Sequence, residues 1–226
     1  MNEVMDTSRR ERLKAAYRSM AAEREIRVLP EWKLAERRRF LGQMRDDGAT
    51  SLLEAGSGPG VDAVYFRDHG LDVVCVDLSP EMVASCRDKG LTAHEMDLVD
   101  LRLPPGSFDA VYALNCLLHV PKAELPLALG EIWKVLAPGG LFYLGVYGGI
   151  DSEGEWEHDT HEPKRFFSFH TDGGLRAEVE RVFDVVSFRR IDVGASDPWF
   201  HFQSFILRKQ AILTDTKDMG RRSDGI

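Results

Sequence analysis

A glycine-rich turn early in the chain places the strongest constraint on its fold. Residues 51–55 form an apolar run of strand length, and residues 61–69 have the composition of a helix. The residues between them are Gly56-Ser57-Gly58-Pro59-Gly60. Because glycine accepts positive φ angles and has no Cβ, such a segment turns tightly and lets a ligand approach the backbone. A strand, a glycine turn and a helix in this order predict an open α/β sheet with a ligand crevice beside the turn.

The rest of the chain continues an alternation of short apolar runs and amphipathic helices, which is typical of a parallel sheet covered on both faces. The last two apolar runs follow each other with only a turn at residues 194–198 between them, so they predict an antiparallel hairpin. The predicted strands are residues 51–55, 71–76, 91–96, 108–114, 141–147, 183–191 and 200–208.

These patterns predict an α/β fold with a Rossmann-like, doubly wound and mostly parallel sheet, a C-terminal antiparallel hairpin and N-terminal helices. We divide the chain into a helical cap segment over residues 1–50, a ligand-binding domain over residues 51–210 and a disordered tail over residues 211–226. Within the cap we expect two helices that are broken near residues 28–30, with Pro30 in the first turn of the second helix.

Two features on the carboxyl side of the domain complete the predicted layout. A helix over residues 125–136 places Leu125, Leu129, Ile132 and Leu136 on one face, and Pro138-Gly139-Gly140 stops it. The segment from residue 148 to residue 168 reads as irregular.

Two aspartates stand at the ends of neighbouring predicted strands. Asp77 ends the second strand, about twenty residues beyond Gly56, where a carboxylate accepts hydrogen bonds from ribose hydroxyls. Asp97 follows the third strand, where its side chain reaches an adenine amino group. Either aspartate is also compatible with a simple cap at a strand end. Together with the glycine turn, they favour a nucleotide-like ligand.

In these residues the chain resembles the class I S-adenosylmethionine-dependent methyltransferases, in particular those with small-molecule acceptors. The resemblance implies that residues 51–210 bind S-adenosyl-L-methionine as the cofactor. The matching segments are Glu54 to Gly60, Asp77, Met96-Asp97-Leu98, Phe108-Asp109-Ala110-Val111, Asn115-Cys116-Leu117-Leu118-His119-Val120 and Leu136-Ala137-Pro138-Gly139-Gly140.

The resemblance also implies a role for each matching position. The glycine turn approaches the methionine part of the cofactor, the acid of the second strand binds the ribose and the acid of the third strand contacts adenine. The backbone of Asn115 faces the methionine amino group, and Tyr17 is similar to an aromatic residue that closes over the cofactor, with core packing as its alternative role. The implied cofactor-binding residues are Tyr17, Glu54, Gly56, Gly58, Gly60, Asp77, Leu78, Asp97, Leu98 and Asn115.

Methyl transfer depends mainly on the alignment of two bound reactants, because the methyl group is already activated by the sulfonium. His119 is our candidate general base, since the unperturbed pKa of histidine, near 6.5, suits proton removal. Packing in the core is the alternative role of this side chain.

The acidic segment that follows the fifth strand is interpreted as a solvated loop. Its His158 and His161 have the His-x-x-His spacing of a metal site, but that signal is weak and we predict no metal. Aromatic residues in and after this loop are candidates for a lid over the acceptor, namely Trp156, Phe166, Phe167 and Phe169.

The overall composition narrows the range of partners. A net charge of −8 argues against nucleic acid, and the clusters at residues 9–12 and 37–39 are interpreted as solvated helix faces. No Asn/Asp-Pro-Pro-aromatic tetrapeptide is present, so a small-molecule acceptor is favoured. The three cysteines lack Cys-x-x-Cys spacing, and no apolar run is long enough to cross a bilayer. We therefore expect a cytoplasmic protein without membrane insertion, and the sequence does not indicate an oligomeric state.

The predicted reaction is methyl transfer from S-adenosylmethionine to an oxygen or nitrogen nucleophile of a small molecule. An NAD-dependent oxidoreductase would use the same glycine turn and Asp77, but Val61 stands where the dinucleotide fingerprint has its third glycine. A non-catalytic S-adenosylmethionine-binding sensor or scaffold is the other alternative.

Overall fold

The computed structural model describes residues 2–18, 29–194 and 199–210. The helices are α1 (Asn2–Arg18), α2 (Glu31–Asp46), α3 (Val61–Asp68), α4 (Pro80–Asp88), α5 (Leu125–Val135) and α6 (Asp172–Val179), with a short 3-10 turn at Leu117–His119. The strands are β1 (Ser51–Ala55), β2 (Asp72–Asp77), β3 (Thr92–Glu95), β4 (Phe108–Leu114), β5 (Leu136–Gly148), β6 (Ser152–Glu155), β7 (Phe166–Phe169), β8 (Phe183–Ile191) and β9 (His201–Lys209).

Seven of the strands form one sheet in the order β3-β2-β1-β4-β5-β9-β8. Strands β1 to β5 run parallel, whereas β9 is antiparallel to both β5 and β8. The predicted doubly wound sheet with a C-terminal hairpin is therefore confirmed. From β1 to β3 each new strand is added on one side of β1, whereas β4 and β5 are added on the other side. At this switch point, between β1 and β4, a crevice opens beyond the carboxyl ends of the strands.

Both faces of the central strands are buried, which explains why their sequences are continuously apolar instead of alternating. Leu53 and Val111 contribute to the core beneath α5 and α6. Leu52 and Tyr112 point to the other face and pack in the core with α2, α3 and α4. The two helical layers hold the strand ends in fixed positions, which is what a ligand site at the crevice requires.

The fifth strand begins five residues earlier than predicted. It pairs with β4 from Leu136, and a bulge interrupts the register between Phe108 and Ala110. Gly139 has a φ of +74°, and a Cβ on Gly140 would lie 3.0 Å from the Asp109 carbonyl oxygen. The glycines that predicted only the end of a helix therefore also form the irregular start of the strand.

The segment predicted to be irregular contains a two-stranded hairpin. Strands β6 and β7 pair antiparallel, with Gly154 opposite Phe167. The composition of Ser152-Glu153-Gly154-Glu155 gives little indication of a strand. The hairpin forms because Phe167 and Phe169 on its second strand are buried in the core.

The cap segment contains the two expected helices, α1 and α2, although Pro30 precedes the second helix as its N-cap residue and does not lie in its first turn. The predicted break at residue 28, the end of the turn at residues 195–198 and the tail at residues 211–226 lie outside the described residues. Among the helices that the structure describes, none combines the length and apolar character of a membrane span.

Candidate functional site

The glycine turn lies between β1 and α3 at the reversal point of the sheet. Its glycines at positions 56, 58 and 60 have φ angles of +67°, +54° and +80°. A Cβ on Gly56 would lie 2.3 Å from the Cβ of Cys116, and a Cβ on Gly60 would lie 2.9 Å from the Sγ of Cys86. The turn therefore requires glycine at these two positions both for its backbone conformation and for its packing.

Asp77, at the end of β2, fixes the turn to the neighbouring strand. One oxygen of its carboxylate accepts the Gly58 N–H at 2.8 Å, and the other accepts the Ser79 N–H at 2.9 Å. The Gly56 N–H also donates to the Val76 carbonyl at 2.8 Å. Because an ionised carboxylate has about four lone-pair sites, these bonds leave acceptor capacity for a ligand.

A first cavity lies on the β2 and β3 side of the turn. It encloses about 820 Å³, including space open to solvent, which is within the roughly 300–1,000 Å³ typical of ligand sites. The predicted site residues that line it are Tyr17, Gly56, Gly58, Asp77, Leu78, Asp97, Leu98, Asn115 and His119.

A second cavity, of about 670 Å³, lies on the other side of the turn. It shares Gly56, Gly58, Leu114 and Asn115 with the first cavity and adds Glu54, Lys33 and Asp62. Gly60 lines neither of these two cavities and serves the packing of the turn.

Two buried oxygens beside the second cavity lack partners. Within the described residues, neither Glu54 Oε2 nor Asn115 Oδ1 receives a hydrogen bond. Burial raises the pKa of the Glu54 carboxyl well above its usual range, and nearby Asp62 raises it further. Asn115 also has a φ of +55°, a strained value for a residue other than glycine. Buried acceptors at the lining of one cavity fit a cationic group of a ligand, which would supply the donors that they lack.

Helix α1 lies across the first cavity and is held by ion pairs at both rims. Arg10 pairs with Asp97 and Arg18 with Glu81 on one side, and Arg9 pairs with Glu124 at 3.0 Å on the other. The interpretation of residues 9–12 as a solvated face is therefore wrong for Arg9 and Arg10, whose side chains are 19% and 23% exposed.

The other basic cluster is also partly internal. Arg37 forms an ion pair with Asp62 at 2.7 Å, and both side chains are about a tenth exposed. Arg39 pairs with the buried Glu36 at 2.8 Å. The prediction of a solvated face therefore holds only for Arg38 in this cluster, which is 54% exposed.

Tyr17 and His119 form a hydrogen-bonded pair in the first cavity. The Tyr17 hydroxyl lies 2.6 Å from His119 Nε2, and His119 Nδ1 lies 2.8 Å from the Phe166 carbonyl oxygen. A carbonyl can only accept, so Nδ1 carries the hydrogen and Nε2 of the neutral ring accepts from Tyr17. The pair joins α1 to the segment after β4.

The loop between β6 and β7, which its composition predicts to be solvated, contains a buried carboxylate with two side-chain partners. Asp159 is buried and binds Arg165 at 2.7 Å and His161 at 2.6 Å. Although burial opposes its ionisation, the hydrogen bonds from Arg165 lower the pKa of Asp159 below its ordinary value. In the part of the chain that the structure describes, no group of three or more His, Cys, Asp or Glu residues is arranged to hold a metal ion.

Three of the four aromatic candidates for a lid, Trp156, Phe167 and Phe169, pack against one another, whereas the ring of Phe166 lies against Arg9. The Trp156 ring lies 5.6 Å from that of Phe167 and 5.7 Å from that of Phe169. Phe167 and Phe169 are buried, and neither these residues nor Trp156 and Phe166 line either cavity described above. Two of them contact His119: its ring packs against Phe167, and its Nδ1 hydrogen-bonds to the Phe166 carbonyl.

Sequence reasoning did not single out Lys33, Glu124 or the ion-pairing role of Arg10. Lys33 lies in the first turn of α2, outside every motif, and Arg10 reaches Asp97 across 87 residues of sequence. A lysine in a mostly polar helix gives no signal of its burial, so only the tertiary structure places it at the cavity.

Comparisons with known proteins agree with this fold and site. The family model described as a methyltransferase domain matches residues 53–144. Glycine/sarcosine N-methyltransferase of Parasynechococcus marenigrum is 31% identical over 190 residues, which cover 67% of each chain. Malonyl-[acyl-carrier protein] O-methyltransferase of Serratia marcescens is 26% identical over 162 residues, 70% of this chain and 62% of that protein.

Among solved structures, the chain is similar to 1,6-didemethyltoxoflavin-N1-methyltransferase of Burkholderia thailandensis, which was crystallised with 1,6-didemethyltoxoflavin and S-adenosylhomocysteine. The TM-score is 0.67, with 22% identity and 88% of each chain covered. For two further malonyl-[acyl-carrier protein] O-methyltransferases, the chain spans only 36% and 41% of their length.

The chain belongs to the class I S-adenosylmethionine-dependent methyltransferases. It is an enzyme of the transferase class, and its cofactor is S-adenosyl-L-methionine.

We predict that alanine at position 56 disrupts the turn. The new Cβ meets Cys116, and the positive φ is unfavourable for alanine, so Gly56→Ala should lower the free energy of unfolding by about 1–3 kcal/mol. The matched control is Gly130→Ala, where no atom lies within 4 Å of the added Cβ and α5 should gain up to about 1 kcal/mol. Urea unfolding of both variants measures the difference. Equal stability of the two variants would contradict the packing role of Gly56.

Proposed function

We propose that this protein transfers the methyl group of S-adenosylmethionine to an oxygen or nitrogen nucleophile of a small-molecule acceptor by in-line displacement. Residues 51–210 act as the cofactor-binding domain, and residues 1–50 act as a helical cap. The observation that carries the proposal is the pair of cavities that meet at the glycine turn. One is lined by strand-end acids suited to an adenosine, and the other has unpaired buried oxygens suited to an ammonium group.

The first cavity is assigned to the adenosine part of the cofactor. Asp77 is held by two backbone N–H groups and accepts the ribose hydroxyls, with Leu78 beside it. Asp97 and Leu98 flank the adenine. Since Arg10 already pairs with Asp97, the adenine amino group either shares that carboxylate or replaces the guanidinium.

The second cavity is assigned to the amino-acid end of the cofactor. Glu54 Oε2 and Asn115 Oδ1 are acceptors without partners in the described residues, and an ammonium group supplies the donors that they lack. The raised pKa of Glu54 supports this assignment, because a cation beside the carboxyl would restore its ionised form.

A small acceptor is supported by the net charge of −8, which repels phosphate backbones. The similar proteins are named for both kinds of nucleophile, glycine or sarcosine nitrogen in one case and a malonyl oxygen in another. Bound S-adenosylmethionine supplies a methyl group activated by a sulfonium, so the work left to the protein is alignment of the acceptor and removal of its proton.

The Tyr17 and His119 pair is assigned to proton removal. The acceptor proton passes to the Tyr17 oxygen while the Tyr17 hydroxyl proton passes to Nε2 of His119. The resulting imidazolium donates its Nδ1–H to the Phe166 carbonyl, which stabilises the charge. This pair also ties α1 across the first cavity, so proton transfer is coupled to the position of the helix.

Binding of S-adenosylhomocysteine tests the cofactor assignment. We expect calorimetry to detect binding to the wild-type protein, and Asp77→Asn to weaken it about 5- to 100-fold because the ribose hydroxyls lose a charged acceptor with two oxygens and keep only one neutral amide oxygen. Asp72→Asn is the matched control, since Asp72 is exposed at the opposite end of the same strand. Absence of binding to the wild type, with an increase in melting temperature by NAD, would overturn the proposal.

The base assignment is tested with an acceptor found by screening transfer of a labelled methyl group. Tyr17→Phe and His119→Gln should each lower kcat by about 10²-fold or more, because a positioned base contributes at least that factor. The control is His158→Gln, which alters an exposed histidine outside both cavities. If kcat is unchanged in both variants and only KM rises, the pair positions ligands and removes no proton.

A further inference from the structure

Arg165 stands beside the Tyr17 and His119 pair and is mostly shielded from water. Its side chain is 11% exposed, and it directly precedes β7. The guanidinium carbon lies 5.7 Å from the centre of the Tyr17 ring and 5.1 Å from that of Phe167. Although burial opposes the charge, hydrogen bonds with Asp159 and with Tyr17 raise the pKa of Arg165. A full positive charge therefore lies next to the Tyr17 side chain.

The buried carboxylate of Asp159 fixes the guanidinium in place. Nε of Arg165 donates to Oδ2 of Asp159 at 3.1 Å, and Nη2 donates to Oδ1 at 2.7 Å. The Arg165 backbone N–H also donates to Oδ2 at 2.8 Å, and the Asp159 side chain is only 1% exposed. A two-pronged bond of this kind fixes the plane of the guanidinium and leaves further N–H donors for other acceptors. Asp159 thus anchors a donor that also serves Tyr17.

The two partners of the Tyr17 hydroxyl determine where its single proton points. A guanidinium can only donate, so the Tyr17 oxygen accepts from Arg165. The hydroxyl proton is then directed to Nε2 of His119, at an oxygen–nitrogen distance of 2.6 Å. This is the orientation that proton transfer from the hydroxyl to the imidazole requires.

The neighbouring charged groups are directed to other partners. The Arg9 guanidinium lies over the Phe166 ring and pairs with Glu124 at 3.0 Å. His161 binds Asp159 at 2.6 Å on the side chain that also holds Arg165. Arg165 is therefore the candidate for electrostatic control of Tyr17.

We propose that Arg165 is a positioning residue, which orients the Tyr17 hydroxyl toward His119 and stabilises the negative charge that forms on the Tyr17 oxygen during methyl transfer. The inference rests on the proposed function, in which this pair removes the acceptor proton. As the hydroxyl proton moves to Nε2, the Tyr17 oxygen takes the proton of the acceptor. The electron pair of the acceptor nucleophile forms the bond to the methyl carbon, and the pair of the broken carbon–sulfur bond stays on sulfur. His119 then releases its proton to water, and Arg165 keeps its charge throughout.

The first arm of the test follows ionisation of the hydroxyl at position 17 by fluorine NMR. A difluorinated tyrosine is placed at that position alone, where its fluorine atoms make the hydroxyl acidic enough to ionise while the protein remains folded. Arg165→Met removes the cation that bonds to the oxygen, so the midpoint of the titration should move to higher pH by about 1–3 units. A role of Arg165 in packing alone would leave the midpoint unchanged.

The second arm measures kcat of the unlabelled protein with the acceptor found by the methyl-transfer screen. Arg165→Met should lower kcat about 10- to 100-fold, because a hydrogen bond to a charged group is lost when the oxygen becomes negative. Binding of S-adenosylhomocysteine by the same variant should change little, since Arg165 lines neither cavity. That binding also reports that the variant is folded.

Two further variants make the outcome specific. Arg165→Lys keeps the charge without the planar fork that Asp159 holds, so it should restore the midpoint and kcat in part. Arg181→Met removes an exposed arginine that pairs with Glu178 at 3.1 Å, and it should change neither quantity.

The two arms separate this inference from the proposed function. If the wild type binds S-adenosylhomocysteine and Arg165→Met has the wild-type midpoint or the wild-type kcat, the inference is overturned while the proposed function stands. If the wild type does not bind S-adenosylhomocysteine at all, the proposed function fails and the inference fails with it.

Discussion

The hydrogen bonds from the glycine turn to Asp77 and to the Val76 carbonyl hold the two cavities in their relative positions. The turn comes from β1, the carboxylate comes from the end of β2, and Cys116 beyond β4 packs on the same turn. Three strand ends therefore meet at one backbone segment of a few residues. Because the strands are buried on both faces, none of them can shift without disturbing a packed core.

Helix α1 adds a different kind of constraint, since ion pairs and one partly buried hydrogen bond hold it over the first cavity. Arg10 and Asp97 link it to one rim, Arg9 and Glu124 to the other, and Tyr17 meets His119 between them. Ion pairs of partly exposed side chains contribute little stability each and are easily exchanged for other polar partners. A helix held in this way can stay over the cleft while a polar ligand replaces some of its ion pairs with the cavity rim.

Much of the sheet could be predicted from the sequence because its signals are local. The bounds of β1, β4 and β8 match their apolar runs, and two adjacent runs near the end predict the hairpin of β8 and β9. The glycine turn and Asp77 also lie at adjacent strand ends, and the structure brings them into direct contact.

The features that could not be predicted depend on partners far away in sequence. β6 is a polar segment that becomes a strand only because Phe167 and Phe169 bury its neighbour. Arg10 meets Asp97, and Lys33 reaches the cavity of Glu54, through packing that neither local sequence reveals. The residue types were visible in each case, but their burial was not.

A crystal structure of the protein with S-adenosylhomocysteine bound tests most directly whether the two cavities form one cofactor site. We predict the adenosine in the first cavity with its ribose hydroxyls on Asp77, and the amino group in the second cavity beside Glu54 and Asn115. A ligand bound outside these cavities, or one whose amino-acid end lies against Asp77, would contradict this assignment.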